Sequence, residues 1–190
     1  MRKPTVFLIT GFARAGKDTA AAAIAETLGC EVVSFADKLK DAVNAYFVAL
    51  GIERVNVHET ADKVRFRELL VAAGRAARSV DANVFADHVA LECHLALMRG
   101  KCIVVSDWRY YNEFHAILRK VGRDRVVPMH VGKYGNQPAN QEEADSVSSI
   151  IDNNAGIGLA SAYFKDGDIG GLRDWAVSIA DEFSPHVPAA

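Results

Sequence analysis

This sequence lacks a charge excess: 22 Lys and Arg stand against 24 Asp and Glu, a net charge of −2 over 190 residues. Without a basic excess, general nucleic-acid binding is not expected. No apolar run approaches the roughly 20 residues of a membrane span, so no membrane partner is expected either. Met-Arg-Lys-Pro leads straight into a strand-like run, and a secretory leader is not anticipated. Cysteine is sparse. Cys30, Cys93 and Cys102 have no metal-ligand spacing and cannot pair completely, which fits reduced core cysteines in a cytoplasmic protein. The histidines, at 58, 88, 94, 115, 130 and 186, form no paired cluster, so each is read as structural. Half the residues are apolar, and the length suits a single α/β domain with a sizeable core.

What is present concentrates in one stretch. Residues 6–19 read Val-Phe-Leu-Ile-Thr-Gly-Phe-Ala-Arg-Ala-Gly-Lys-Asp-Thr, an apolar run, a glycine-bounded loop and then an Ala-rich helix former. That context is what a phosphate-binding P-loop requires. Its backbone N–H groups and the positive end of the following helix converge on phosphate oxygens. Gly11 and Gly16 permit the close approach, and Lys17 would reach the β- and γ-phosphates. The strict pattern puts Ser or Thr directly after the lysine. Here Asp18 holds that place and the hydroxyl follows at Thr19, so Thr19 reads as a phosphate contact. Asp18 would meet magnesium through water or favour the helix N-terminus.

Strand and helix signals alternate along the chain, as in a parallel sheet with crossover helices. Strands are expected at Thr5–Thr10, Glu31–Phe35, Cys102–Ser106, Val126–Val131 and Ser148–Ile151. Helices are expected at Lys17–Leu28, Ala36–Leu50, Thr60–Arg75, Asn83–Met98, Tyr111–Val121 and Leu172–Phe183, with a tail after Pro185. The helical block 36–98 is too long for one crossover and reads as a substrate-binding insertion. The polar stretch 132–146 reads as a loop, either a short lid or an ordinary surface connection.

A P-loop needs a partner that serves magnesium. The buried run before Asp107 delivers that carboxylate to a strand end, where the crevice of an open parallel sheet lies. Arg109, two residues on, could grip an acceptor phosphate bidentately. The bland reading is a strand-ending Asp and a surface Arg. Arg67 and Arg78 are eleven residues apart and share a helix face, whereas Arg65 and Arg75 read as solvated.

Five segments in this order resemble the phage-type deoxynucleoside monophosphate kinases, within the P-loop nucleoside monophosphate kinases. They are Gly-Phe-Ala-Arg-Ala-Gly-Lys-Asp-Thr (11–19), Ser-Phe-Ala-Asp-Lys-Leu-Lys (34–40), Arg-Glu-Leu-Leu-x3-Gly-x3-Arg (67–78), Val-Ser-Asp-Trp-Arg-Tyr-Tyr-Asn-Glu (105–113) and Asp-Asn-Asn-Ala-Gly (152–156). The resemblance implies a P-loop NTPase fold: a five-stranded parallel sheet flanked by helices, with a helical acceptor-binding insertion and a short lid. It implies γ-phosphoryl transfer from ATP, with Mg²⁺, to a deoxynucleoside 5′-monophosphate. Gly11, Ala13, Ala15, Gly16, Lys17, Asp18 and Thr19 would hold ATP, and Asn154 and Gly156 would border its adenine. Asp37, Lys40, Arg67, Arg78 and Arg109 would bind the acceptor. Lys17, Arg109 and Asp107 would be catalytic, Asp107 and Asp18 would serve the metal, and Glu113 would brace Arg109. The family's lid carries His-x-Ser-Glu, where this chain has Asn140-Gln-Glu-Glu-Ala-Asp. The expected partners are small nucleotides, with a homodimer left open, and the expected compartment is cytoplasm, a host's if the chain is phage-encoded. Two other readings stand beside this one: a P-loop kinase acting on another phosphorylated acceptor, of phosphomevalonate or dephospho-coenzyme A type, and a nucleotide-binding protein without catalysis.

Overall fold

The computed structural model describes residues 3–185, so His186 and the tail beyond it lie outside the described residues. The centre is strand β1 (Val6–Thr10), five residues buried on both faces. It lies between β3 (Ile103–Val105) and β4 (Val126–Lys133), with β2 (Glu31–Val33) and β5 (Ala160–Phe164) at the edges. Every strand pair is parallel and the order is β2-β3-β1-β4-β5. The expected five-stranded parallel sheet flanked by helices is present.

Helix α1 (Lys17–Leu28) follows Gly16 and stops at Gly29, whose φ of 61° supplies the left-handed turn of a helix end. Its Ala20, Ala21, Ala23 and Ile24 meet Leu172, Ala176 and Ala180 of the last helix, Ile169–Phe183, over one face of the sheet. On the other face, helix Val84–Met98 and helix Tyr111–Val121 bury Val89, Cys93, Phe114 and Ile117 against Val6, Leu8 and Val105. Helices Asp37–Ala49 and Arg67–Val80, with Phe66 after the short helix Thr60–Arg65, contribute to a smaller core of their own around Val43, Phe47, Val55 and Val57. The 36–98 block therefore divides: its last helix belongs to the central core. In chain order these helices are α2 (Asp37–Ala49), α3 (Thr60–Arg65), α4 (Arg67–Val80), α5 (Val84–Met98), α6 (Tyr111–Val121), α7 (Gln141–Asp152), α8 (Asn154–Ile157) and α9 (Ile169–Phe183).

Several boundaries differ from expectation. The helix foreseen over Thr60–Arg75 breaks at Phe66, whose ring turns inward to lie 4.7 Å from that of Phe47. The strand foreseen at Ser148–Ile151 is part of α7, in which Val147 and Ile150 are buried at helical spacing. The fifth strand is instead β5, whose Ala-Ser-Ala-Tyr-Phe sequence carries no β-branched signal. Residues 132–146 are not a loop throughout. They comprise the end of β4, a turn and the first half of α7, which Asn140 caps by accepting from the Glu143 amide at 2.9 Å.

His130 sits on β4 beside Thr10, 3 % exposed, with Nδ1 2.8 Å from Ser161 Oγ. Burial, helped by the charge of Lys17, pushes its imidazole down to about 4. The unfolded chain takes up that proton near the ordinary histidine value of about 6.5, so acidification between those values costs stability through this group, and the contribution is regained as pH rises. In an NMR titration the His130 ring resonances should stay those of the neutral form down to about pH 5. An inflection near the ordinary histidine value would show that the ring is not sequestered.

Candidate active site

The site forms where β1, β3 and β4 end. Gly11 leaves β1 with φ +145°, and a Cβ there would lie 2.2 Å from the Val131 carbonyl oxygen on β4. The loop then turns through Arg14 (φ 62°) and Gly16 (φ 102°) into α1. Ala15 is buried in the core beneath it. Lys17 Nζ donates to the carbonyls of Gly11 and Phe12 at 2.8 and 2.9 Å. Burial lowers its pKa, and the Arg109 charge adds to that, while Glu143, Asp18 and Asp107 oppose it. The charges of Arg109, Asp18, Asp107 and Glu143 are thus all felt at Lys17.

Asp107 has a task that the sequence did not announce. Its Oδ2 accepts from Ser34 Oγ at 2.7 Å and from the Ala36 amide at 3.2 Å, and Oδ1 accepts from the Phe35 amide at 2.8 Å. These bonds draw residues 34–36 off the edge strand, which is why β2 stops at Val33 rather than Phe35. A carboxylate has about four acceptor sites, so part of its capacity remains for a water on magnesium. Among the described residues no three His, Cys, Asp or Glu side chains form a metal cluster. The acidic side chains flanking Lys17 are of the right chemistry for magnesium.

Arg109 is fixed at its backbone. Glu113, 3 % exposed, accepts from the amides of Arg109 and Tyr110 at 2.9 and 3.0 Å. Burial raises its carboxyl to about 7, against the pull of those two amides. The Arg109 guanidinium lies 3.7 Å from Glu143 Oε1. On α4, Arg78 stacks over the rings of Phe85 and Tyr110, 5.0 and 5.4 Å from their centroids. Arg67 lines a groove of about 460 Å³ with Val71 and Arg75. Arg75, read as merely solvated, faces Glu142 at 3.6 Å, and Glu142 accepts from the Tyr110 hydroxyl. Asp37 and Lys40 pair with each other at 2.7 Å at the start of α2, close to the turn that Asp107 holds.

Asn154 and Gly156 are not brought to this end of the sheet. They lie in α8, before β5 begins, and Asn154 Oδ1 accepts from the Leu159 amide at 2.7 Å. The carbonyl of Ile157 in the same turn accepts from Arg123, which precedes the first residues of β4. That is the edge opposite the P-loop, so their expected place beside the donor adenine is corrected. Beside the P-loop, a cleft of about 230 Å³ is lined instead by Arg14, Thr19, Lys133, Phe164, Asp168 and Leu172, among others. Lys133 pairs there with Asp166 at 3.0 Å.

Sequence reasoning also missed Asn136, Tyr110, Glu142 and Glu143. The signal for the last was an Asn-x-x-Glu helix start at residues 140–143, which marks an N-terminus but not what the carboxylate reaches.

No protein-family model matches the chain, and neither does any curated protein. Solved structures do. A gluconokinase from Sinorhizobium meliloti superposes with a TM-score of 0.55 at 11% identity, over 97% of this chain and 95% of its own. A dephospho-CoA kinase from Campylobacter jejuni gives 0.54 at 16% identity, over 97% of this chain and 100% of its own. The chain has the P-loop NTPase fold of small-molecule kinases. At these identities the likeness carries the fold, and the chemistry must come from the site.

Gly11 is where that site is most exposed to a single change. Gly11→Ala would combine a left-handed φ with a steric overlap on backbone. It should cost about 2 kcal/mol or more, seen as a melting temperature lower by about 4 °C or more. An unchanged melting curve would show that β1 and β4 can separate freely at this point.

Proposed function

We propose that this chain is an ATP-dependent kinase that phosphorylates a deoxynucleoside 5′-monophosphate to the diphosphate. The observation that carries the reading is that Glu143 ties Arg109, after β3, to the P-loop: its Oε1 accepts from the Ala13 amide at 3.1 Å and lies 3.7 Å from the Arg109 guanidinium, beside the loop whose Gly11 and Phe12 carbonyls hold Lys17. Two cations brought to one loop suit a site that receives two phosphate groups.

The P-loop amides and Lys17 would bind the donor phosphates, with Thr19 beside them. The cleft bounded by Arg14, Lys133 and residues 164–169 offers the donor base a place next to that loop. Arg109 would take the acceptor phosphate, with Arg78, Arg67, Asp37 and Lys40 along the acceptor side. When bound, Mg²⁺ would neutralise charge on the transferring phosphates, served by Asp18 and Asp107. In the transfer, the bond from the γ-phosphorus to the β,γ-bridging oxygen breaks as an acceptor phosphate oxygen bonds to that phosphorus. The acceptor is already an anion, so no general base is required. The protein's share is alignment, charge neutralisation and exclusion of water. A different phosphorylated acceptor is the second reading, supported by the likeness in fold to a dephospho-CoA kinase. An ADP-release assay across ribo- and deoxynucleoside monophosphates and dephospho-coenzyme A separates the two. Turnover on none of them would leave a nucleotide binder.

Lys17→Ala should remain folded by circular dichroism and lose on the order of 10²-fold or more in turnover. Near-normal transfer would remove the P-loop from the mechanism. Arg109→Ala should raise the KM for the monophosphate and lower kcat, while leaving the ATP dissociation constant nearly unchanged. Arg109→Lys should recover little, because an ammonium lacks the two-pronged contact. Loss of ATP affinity with an intact acceptor KM would assign the arginine to the donor instead.

A further inference from the structure

Glu143 is an expensive residue to bury. It lies 3 % exposed in the first turn of α7, and an unpaired buried carboxylate is strongly unfavourable. At the third position of a helix, a Glu ordinarily turns back to the capping residue's own amide. This one reaches past Asn140. Oε2 accepts from the Ala139 amide at 2.7 Å and Oε1 from the Ala13 amide at 3.1 Å, with the Arg109 guanidinium 3.7 Å from Oε1. The other side of residue 13 is held as well, since its carbonyl accepts from Asn136 Nδ2 at 2.8 Å. Asn136, in the turn after β4, and Glu143, in the first turn of α7, thus clasp one residue of the P-loop by its C=O and its N–H.

We propose that Glu143 is a positioning residue that sets the P-loop backbone at Ala13 and the tip of Arg109 relative to one another. This rests on the kinase reading given above for what Arg109 does. Arg109 needs such a restraint. Its side chain is 47% exposed, and Glu113 fixes only its backbone. The Glu143 charge also acts on Lys17 in the sense opposite to that of Arg109. A carboxylate in a site built for phosphates disfavours anion binding by its charge alone. Its contribution is therefore geometric: without it Arg109 is free to swing out and the loop loses one of its two ties.

Glu143→Gln keeps the volume, loses the charge, and leaves one oxygen for two amides. With Arg109 present, kcat/KM for the acceptor should fall about 10- to 100-fold, the scale of a misplaced group. With Arg109→Ala as background, the same substitution should cost at least about fivefold less, because the group it positions is gone. Equal factors in both backgrounds would overturn the proposal. A second reading needs no turnover. In the wild-type protein the Ala13 amide should exchange slowly with solvent, and in Glu143→Gln it should exchange faster while the Arg109 Nε–H resonance moves. Fast Ala13 exchange in the wild type, or both signals unchanged in the variant, would overturn it equally. A wild-type protein that transfers phosphate to no monophosphate would instead remove the kinase reading, and the exchange measurement would still decide the placement of Glu143.

Discussion

Everything in the site hangs on how closely β1 and β4 approach at Gly11. The loop can leave β1 at that angle because the residue has no side chain to strike the Val131 carbonyl. The same approach decides where the chain goes after β4. Strand β4 continues past the end of β1 to Lys133, and the next turn brings Asn136 and then Glu143 within hydrogen-bond distance of Ala13. A side chain at Gly11 would therefore disturb more than one loop. It would shift the strand that carries the clasp on the P-loop and, through Glu143, the arginine on the far side of the cleft.

The phosphate-binding half was legible because its signals are local. An apolar run, two glycines, a lysine and an Ala-rich helix lie within 20 residues of one another, and α1 begins and ends where those residues predict. The all-parallel sheet followed from the alternation of elements. The failures share a cause, which is contacts distant in sequence. Ser34 and Phe35 look like strand until Asp107 draws them away, and Phe66 looks helical until it meets Phe47. Ile150 and Ile151 read as a strand although their spacing from Val147 is helical, so that error was one of period. It displaced the fifth strand, whereas the place given to Asn154 and Gly156 came from the resemblance of residues 152–156 and not from that error. Glu143 was invisible for another reason: a Glu in a first helical turn is common, and only the fold puts an amide 130 residues away against it.

The two sides of the cleft are held by different physics. The P-loop side is the buried sheet and its loop, fixed by backbone pairing and by carboxylates that accept from backbone amides: Asp107, Glu113 and Glu143. The other side, α2 to α4, has its own small core. Where α4 meets α7 it does so through exposed groups, Arg75 with Glu142 at 3.6 Å, and such pairs contribute at most about 1 kcal/mol. Moving α4 against α7 therefore breaks little, whereas moving the P-loop against Glu143 strips two amides from a buried carboxylate or takes the carboxylate with it. On the kinase reading proposed above, an acceptor entering the cleft would meet a rigid P-loop side and a yielding wall. Binding energy from its remote parts could then draw that wall in without disturbing the alignment of Lys17 and Arg109, which is the condition for excluding water while keeping the reacting groups in line.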